Sequence, residues 1–297
     1  MYENFYYTSM RLSPLVIGTM RWGSWGKNMT EPQMQQMINE ALLQGFYTFD
    51  LADIYGDYTL EASFGKAISS LEISRESYQL ISKCGIKLPG PNNDLKIKSY
   101  DYSKSYIISQ VEKSLEDLKT PYLDLLLLHR PSPLMNPEEV ALAFQYLARE
   151  GMVRNFGVSN FKISELSLLS SVVTNLTVNQ IEVSLTSPEL LLDGTVDYLY
   201  QHGITVMAYG VLGNYFSRSK ADNPMLIETV RMLAKKYETT QENILLAFIR
   251  KHPSGIIPLV GSTKRENLSV YKMGLSVCLS DEDWFLLLQM QRGVEVP

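Results

Sequence analysis

Short apolar runs alternate with longer amphipathic stretches along the whole chain. Several of the short runs are continuously apolar, which is typical of strands that are buried on both faces. The eight runs that we predict to be strands lie at 15–18, 47–50, 78–82, 123–128, 153–158, 177–180, 205–208 and 255–259. This alternation places the chain in the α/β class.

The longer stretches carry apolar residues at helical spacing. One helix is predicted to start after Asn136. Asn136 suits the N-cap position because Pro137 and two glutamates follow it in the first turn. The other predicted helices lie at 31–44, 103–118, 224–237, 240–251 and 280–292. Helices between successive strands indicate parallel strands joined by right-handed crossovers.

Eight strands with intervening helices predict a (β/α)8 TIM barrel with a C-terminal helix, forming a single domain over residues 1–297. An open dinucleotide-binding sheet is disfavoured because no Gly-x-Gly-x-x-Gly follows the first strand. The stretch 85–102 is rich in Pro, Gly, Asn and Lys and leaves the end of the third strand. We therefore predict an irregular loop there, over the mouth of the barrel.

Composition narrows the range of functions. Hydrophobic residues make up 45% of the chain, and 27 basic against 32 acidic residues give a net charge of −5. This balance disfavours nucleic acid as a partner. The two cysteines, Cys84 and Cys278, are too few for a disulfide framework or a Cys-rich zinc site. We expect no metal, and we expect Cys84 to be a small buried hydrophobe.

Targeting signals are not evident in the sequence. The first residues lack the basic and apolar regions of a secretory signal, and no apolar run reaches the roughly 18 residues of a membrane span. We therefore expect a cytoplasmic protein with no membrane partner. We also expect a monomer or a weak homo-oligomer.

Four polar residues lie at or just beyond the ends of three successive predicted strands. Asp50 ends the second strand and Tyr55 follows it, Lys83 follows the third, and His129 follows the fourth. In a (β/α)8 barrel the active site forms at this end of the strands. We therefore predict that Asp50, Tyr55, Lys83 and His129 meet in one catalytic site.

This set of side chains is suited to proton transfer. A tyrosine has an unperturbed pKa of about 10, so it donates a proton well only if its phenolate is stabilised. Lys83 can supply that stabilisation, Asp50 can balance the buried ammonium, and a neutral His129 can polarise a substrate oxygen. Taken singly, Asp50 could be a helix cap, Tyr55 a packing residue and His129 a core histidine. Their matched positions favour the joint interpretation.

At these residues the chain resembles the aldo-keto reductase family, and the resemblance covers almost the whole length. The matching motifs are Gly18-Thr19, Asp50-x-Ala52-x-x-Tyr55-Gly56 with Glu61 and Gly65, Ser82-Lys83, Tyr122 to Arg130, Gly157 to Phe161, Asn179-Gln180, and Tyr209 with Leu212-Gly213. The segments His129-Arg130-Pro131 and Leu190 to Gly194 are most similar to the bacterial YdhF-like oxidoreductase branch. The resemblance implies a nicotinamide-dependent reductase of aldehydes or ketones, with Tyr55 as the proton donor.

The same resemblance implies a set of cofactor contacts. NADP(H) is expected rather than NAD(H), because Lys264 or Arg265 could meet a 2′-phosphate. The expected cofactor-binding residues are Thr19, Met20, Arg21, Asp50, Ser159, Asn160, Gln180, Tyr209, Gly210, Val211, Leu212, Gly213, Asn214, Gly261, Ser262, Thr263, Lys264, Arg265 and Asn267. Trp22 and Trp25 could wall the substrate pocket. Arg130 could meet an acidic substrate group or pair with an internal carboxylate, and the pairing is favoured.

Two other functions remain open from the sequence. The barrel could be a cofactor-sensing regulatory subunit with little turnover. It could also be a lyase or isomerase in which Lys83 forms a Schiff base, although its Asp50 and Tyr55 partners disfavour this. The chain also departs from the family pattern at Gly210-Val211, where Ser-Pro is usual, and at Asn267 and Tyr271. For that reason, the preference for a cofactor with or without the 2′-phosphate stays open, as do the individual contacts to the adenosine.

Overall fold

Eight parallel strands close into a barrel in this computed structural model, which describes residues 10–90, 95–217 and 223–295. The barrel strands are β1 (Val16–Gly18), β2 (Thr48–Asp50), β3 (Gln79–Cys84), β6 (Leu125–Leu128), β7 (Phe156–Ser159), β8 (Leu176–Glu182), β9 (Thr205–Tyr209) and β10 (Ile257–Val260). Their order around the barrel is β1-β10-β9-β8-β7-β6-β3-β2. The predicted (β/α)8 barrel is confirmed, and each predicted strand is present with ends shifted by three residues or fewer.

Helices surround the barrel. They are α1 (Glu31–Leu43), α2 (Tyr55–Tyr58), α3 (Leu60–Ser69), α4 (Lys104–Leu118), α5 (Pro137–Arg149), α6 (Ile163–Ser170), α7 (Thr195–Gln201), α8 (Pro224–Lys236), α9 (Gln241–Arg250), α10 (Glu266–Gly274) and α11 (Asp281–Arg292). The predicted cap is present, since Asn136 Oδ1 accepts a hydrogen bond from the backbone N–H of Glu138 at 2.9 Å. Within the described ranges, no helix is long and apolar enough to span a bilayer.

Two parts of the predicted secondary structure were wrong or missed. The stretch 85–102, predicted to be irregular, contains an antiparallel pair of short strands, β4 (Ile86–Lys87) and β5 (Ser99–Tyr100). The helices α3, α6 and α7 were not predicted, and neither was the four-residue segment α2, in which Gly56 and Asp57 depart from right-handed helical geometry. They have ten residues or fewer, and helices this short depend on tertiary packing more than on their own propensity.

The run of four leucines in β6 divides between two layers. Leu125 and Leu127 point into the barrel interior and pack with Ile81 and Val178. Leu126 and Leu128 lie in the larger apolar layer between the barrel and the helices. Because side chains alternate along a strand, a strand that is buried on both faces needs this continuous apolar run.

The same alternation aims the next residues of the strands at the mouth of the barrel. Position 129 follows 125 and 127 on the inward face of β6, and position 83 follows Ile81 on β3. Phe49 of β2 and Ile181 of β8 pack in the outer layer. Their strand neighbours Asp50 and Gln180 therefore point inward. The polar residues therefore meet above the apolar interior of the barrel.

Glu61 anchors α3 beneath the site. Its carboxylate accepts hydrogen bonds from the hydroxyls of Ser82 on β3 at 2.5 Å and Ser114 on α4 at 2.8 Å. Gly65, one turn later, permits close contact with α4, because a β-carbon there would lie 2.1 Å from the carbonyl oxygen of Asp117. Burial raises the pKa of Glu61 to about 7, although the two serine hydroxyls oppose the shift.

Glu61 should make the fold more stable at acidic pH than at neutral pH. Its pKa in the folded state lies above that of an unfolded glutamate, so its contribution is present at low pH and is lost as the pH rises through about 7. Between about pH 4.5 and neutrality, the wild type should lose about 2–3 kcal/mol of unfolding free energy relative to Glu61→Gln. Urea unfolding of both proteins over a pH series measures this difference. Glu189→Gln, which removes an exposed carboxylate, is the control, and equal pH profiles for all three proteins would contradict the expectation.

Candidate active site

Lys83 lies at the centre of the polar cluster and is fully buried. Its Nζ donates hydrogen bonds to Asp50 Oδ2 at 2.8 Å, the Leu51 carbonyl oxygen at 2.7 Å and Tyr55 Oη at 3.0 Å. An ammonium has three protons to donate, so all of them are satisfied. The structure thus brings together Asp50, Tyr55 and Lys83, as the sequence predicted.

Asp50 is held from both sides. Its Oδ2 accepts from Lys83, and its Oδ1 accepts from Gln180 Nε2 at 2.8 Å across the barrel mouth. The sequence interpretation gave Gln180 only a cofactor role and missed this contact. The alternation of β8 could have revealed it, because position 180 points inward.

The charges of these groups follow from competition between burial and pairing. Burial lowers the pKa of Lys83, but Asp50 and Tyr55 outweigh it and the net shift is upward. Burial raises the pKa of Tyr55, and Lys83 offsets only part of that shift. Lys83 is therefore an ammonium and Tyr55 a neutral phenol at neutral pH. The expected effect of Lys83 on Tyr55 is present but smaller than the effect of burial.

His129 is a neutral imidazole next to Tyr55. The two ring centroids are 5.9 Å apart in an edge-to-face arrangement. Burial lowers the pKa of His129 well below its usual value, and the cations Lys83, Arg130 and Lys98 add to the shift. Its Nδ1 is buried without a hydrogen-bond partner among the described residues. Together, a charged amine, a phenol and a neutral imidazole can hand a proton to a ligand oxygen.

A cavity of about 730 Å³ opens onto these groups. Tyr55, His129 and Gln180 form part of its floor. Its volume is that of a site for a ligand of drug or cofactor size. The described residues that line it and that the sequence did not single out are Ile54, Ile86, Leu88, Lys98, Phe216, Ser217 and Leu259. Most lie on loops, whose course a strand pattern does not predict.

A second cavity of about 690 Å³ lies at the opposite end of the barrel, where β7, β8 and β9 begin. Several of its polar residues bond to the protein: Arg154 pairs with Asp124 at 3.6 Å, and Asn155 Nδ2 donates to the Asp124 carbonyl oxygen. His202 lies within hydrogen-bond distance of the Tyr198 carbonyl oxygen. The two cavities are similar in size, and the one that opens onto Tyr55 contains the reactive groups.

The two tryptophans predicted to wall the substrate pocket differ. The prediction is wrong for Trp22, which is fully buried, packs against Phe64 and donates from Nε1 to the Ser262 carbonyl oxygen at 2.9 Å. Trp25 lines the cavity and packs edge-on against Tyr55, with ring centroids 6.0 Å apart. Apolar character alone does not distinguish a core tryptophan from one at a pocket rim.

A left-handed turn follows Tyr55. Gly56, Asp57 and Tyr58 all have φ between 56° and 66°, a conformation that is strained for a bulky residue such as Tyr58. Asp57 accepts hydrogen bonds from Trp25 Nε1 and Ser24 Oγ, at 2.9 and 3.1 Å. The turn thereby fixes the indole of Trp25 beside the Tyr55 ring.

Polar side chains at the ends of β6, β7 and β9 form one network. Tyr209 Oη donates to Asn160 Oδ1 at 2.9 Å, and Asn160 Nδ2 donates to Ser159 Oγ at 2.9 Å. Arg130 Nη1 donates to the same Ser159 hydroxyl at 3.1 Å and to the His129 carbonyl oxygen at 3.0 Å. The ion pair predicted for Arg130 is wrong, because no ion pair within the described ranges includes it.

The other predicted cofactor residues divide between the cavity wall and its surroundings. Thr19 is fully buried, and its hydroxyl donates to the Asp50 carbonyl oxygen at 2.9 Å. Ser262, Thr263, Lys264, Arg265 and Asn267 lie outside the lining, at the start of α10. Those on the wall are Met20, Arg21, Asp50, Gln180, Tyr209, Gly210, Val211, Leu212, Gly213 and Gly261.

The backbone near β10 leaves room for a ligand. A β-carbon added at Gly261 would find only the Gly18 carbonyl oxygen, 4.0 Å away, so this stretch presents bare backbone to the cavity. Gly210 and Gly213 have φ of 65° and 54°, which favour glycine and turn the chain after β9, the strand that pairs with β10, along the same side of the cavity. These features fit a long ligand that runs from Tyr55 toward α10.

Comparison with known proteins identifies relatives over the full barrel. The model of the aldo/keto reductase family matches residues 14–289. Uncharacterized oxidoreductase YcsN of Bacillus subtilis strain 168 is 37% identical over 294 residues, which cover 97% of each chain. Oxidoreductase YdhF of Escherichia coli strain K12 is 36% identical over 293 residues, 96% of this chain and 95% of that protein.

A solved structure has the same fold. The aldo/keto reductase from Klebsiella pneumoniae, in complex with NADP and acetate, is 26% identical to this chain. It covers 95% of this chain and 92% of its own, with a TM-score of 0.74. The likeness therefore extends from the strand-end motifs to the whole barrel.

Proposed function

The chain belongs to the aldo/keto reductase family of oxidoreductases, and from this we propose that it reduces aldehyde or ketone carbonyls with NADP(H). Tyr55 is the proton donor in this proposal. The observation that carries it is the buried Lys83 ammonium, which bonds at once to Asp50 and to the Tyr55 hydroxyl. A phenol paired in this way is arranged to lose its proton as charge develops on a substrate oxygen.

Each residue has a distinct task in the proposal. Tyr55 gives its proton to the carbonyl oxygen, and Lys83 stabilises the phenolate that remains. Asp50 balances the charge of Lys83, so that the ammonium persists in a buried site. His129, neutral and adjacent to Tyr55, orients the carbonyl oxygen by hydrogen bonding. A nicotinamide dinucleotide supplies the hydride when bound, since no side chain can.

The cavity wall offers places to hold that dinucleotide. Tyr209, fixed by its bond to Asn160, would support one face of the nicotinamide. Ser159 and Asn160 lie outside the cavity lining and bond to Arg130 and Tyr209, which line it, and they would bind the carboxamide. Gln180 could use its Oε1 atom, for which the described residues supply no hydrogen bond. Gly210–Gly213 and Gly261 would follow the rest of the molecule along the wall, and Asn214, also predicted to bind the cofactor, lies outside the lining.

NADP(H) is preferred over NAD(H) in the proposal because of two basic residues at the start of α10. Lys264 and Arg265 are exposed, and neither takes part in an ion pair within the described ranges. A guanidinium or an ammonium at a helix N-terminus is suited to a phosphate monoester. The 2′-phosphate of NADP(H) is such a group.

A panel of carbonyl substrates assayed with NADPH and NADH side by side tests the function. We expect oxidation of NADPH that depends on the carbonyl compound, with kcat/KM for NADPH at least about tenfold above that for NADH. Loss of nicotinamide absorbance at steady state measures both. A better rate with NADH would overturn the cofactor preference and leave the reductase proposal intact.

The alternative function makes a different prediction for the same panel. A cofactor-sensing barrel would quench dinucleotide fluorescence on binding, yet would oxidise neither dinucleotide with any aldehyde or ketone. That outcome would replace the reductase proposal.

A further inference from the structure

The cavity above Tyr55 carries an unbalanced positive charge. Three cationic side chains line it, Arg21, Lys98 and Arg130, against the single carboxylate of Asp50. Asp50 is already paired with Lys83, a fourth cation beneath the floor. The chain as a whole has a net charge of −5, so the charge of the cavity is opposite to that of the protein.

Lys98 and Arg130 have no counter-ion of their own. No ion pair within the described ranges includes either residue, and the polar contacts of Arg130 use its Nη1 and its backbone. The Lys98 ammonium lies 5.7 Å from the centroid of the Tyr100 ring and makes no hydrogen bond to the described residues. Both side chains therefore have donors available to a ligand.

Barrel topology places the segments that carry these two cations opposite the part of the proposed cofactor wall that follows β9 and β10, although the Arg130 guanidinium also reaches Ser159 and the Tyr209 ring. Lys98 lies between β4 and β5, in the segment that follows β3, and Arg130 follows β6. In the strand order, β3 and β6 are neighbours and stand opposite β9 and β10. The cofactor segments Gly210–Asn214 and 261–267 follow β9 and β10. Arg21, which follows β1, lies on their side because β1 pairs with β10.

The two cations also lie close to the reacting end of the cavity. Arg130 is adjacent to His129 in sequence, and its guanidinium carbon lies 5.9 Å from the centre of the Tyr209 ring. Both Arg130 and Lys98 contribute to the lowered pKa of His129. An anion held between them would be within a short carbon chain of the Tyr55 hydroxyl.

We propose that Lys98 and Arg130 form a subsite for an anionic group carried by the carbonyl substrate, so that the preferred substrates are small aldehydes or ketones bearing a carboxylate or a phosphate. This inference rests on the proposed reductase function and names its substrate class. Arg130 provides a planar donor that matches two anion oxygens, and Lys98 provides a point charge at the rim. The apolar side chains of Ile86 and Leu88 line the cavity beside them and would contact the carbon chain.

Matched pairs of aldehydes test the subsite. Succinic semialdehyde and butanal have the same chain length and differ in the carboxylate, while glycolaldehyde phosphate and glycolaldehyde differ in the phosphate. We expect kcat/KM for at least one charged member to exceed that of its neutral partner by about tenfold or more, since a charge-assisted bond is gained. The larger of the two ratios identifies carboxylate or phosphate as the recognised group. Added KCl should reduce the advantage, because the rim is exposed.

Two lysine variants locate the effect. Lys98→Gln should raise KM for the charged aldehyde about tenfold and leave the neutral one within about twofold. Lys96→Gln is the matched control, because it removes the same charge from an exposed residue of the same segment that does not line the cavity. Equal kcat/KM for charged and neutral partners in the wild type would overturn the inference, as would equal losses on both partners in Lys98→Gln.

Failure of the subsite and failure of the reductase function give different results. Turnover of butanal without any preference for charge would keep the function and reject the subsite. Absence of turnover with every aldehyde would reject the function. Calorimetric titration with succinate, which has carboxylates and no reducible carbonyl, then decides the subsite: binding weakened by Lys98→Gln but not by Lys96→Gln supports it, and equal binding by all three proteins rejects it.

Discussion

Tyr55→Phe should lower kcat for carbonyl reduction by about a hundredfold to ten-thousandfold while leaving dinucleotide affinity within about twofold. The substitution removes one hydroxyl, which bonds to Lys83, and keeps the ring that packs against Trp25 and His129. The proposed proton donor is lost, but the proposed cofactor wall is unchanged. Steady-state oxidation of NADPH and quenching of its fluorescence measure the two quantities separately.

Tyr47→Phe is the matched control for this substitution. Tyr47 precedes β2 at the far end of the barrel, and its hydroxyl donates a long hydrogen bond to the Leu12 carbonyl oxygen at 3.4 Å. It should retain wild-type turnover. A Tyr55→Phe enzyme with the wild-type rate would show that the proton comes from another group.

The wild-type rate of reduction should not fall as pH rises through neutrality, because burial raises the pKa of Tyr55 and keeps its phenol protonated.

Lys83→Met should reduce the free energy of unfolding by about 3–5 kcal/mol and lower turnover as well. The methionine leaves Asp50 as a carboxylate that is 2% exposed and has lost its cation. The Tyr55 hydroxyl at the same time loses the hydrogen bond that Lys83 Nζ donates to it. Urea unfolding at pH 7 and steady-state kinetics measure the two effects.

The double variant Asp50→Asn, Lys83→Met separates stability from chemistry. It removes both charges, so it should recover most of the unfolding free energy and none of the turnover. The loss of unfolding free energy in the single variant Lys83→Met should also depend on pH. Burial already raises the pKa of Asp50 and only Lys83 and Gln180 oppose it, so without Lys83 the folded-state pKa rises further. The unfolding free energy that Lys83→Met loses relative to the wild type should therefore grow as the pH rises through the folded-state pKa of Asp50. A deficit independent of pH and equal in both variants would point to packing rather than charge.

Alternation along strands explains why so much of the site was predictable. The position of His129 follows from the leucines before it, and the positions of Asp50 and Lys83 follow from their strands. The sequence therefore predicted which strand ends meet, and the hydrogen bonds of Lys83 agree with the pairing that its charge requires. The bond between Gln180 and Asp50 could have been predicted in the same way, because both residues point inward.

Features that depend on loops or on three-dimensional packing were not predictable. Trp22 and Trp25 are three positions apart, yet one hydrogen-bonds in the core and the other forms a pocket wall. The pattern of 85–102 gave no sign of the β4–β5 pair, because each strand has only two residues. The partner of Arg130 was predicted to be a carboxylate and is a serine hydroxyl. In each case, neighbours distant in sequence decide the outcome.

The hydrogen bond between Gln180 and Asp50 links residues 130 positions apart, and this has a consequence for synthesis of the protein. A nascent chain emerges from the ribosome with Asp50, Tyr55, Lys83 and His129 available long before β8 exists. Until the chain beyond residue 180 has emerged and docked, one oxygen of the Asp50 carboxylate lacks its partner and the barrel is open. Contacts of such long sequence separation form late and slowly. We therefore expect the proposed reductase chemistry to be confined to the finished barrel, and partly made chains that already contain all four predicted catalytic residues to be inactive.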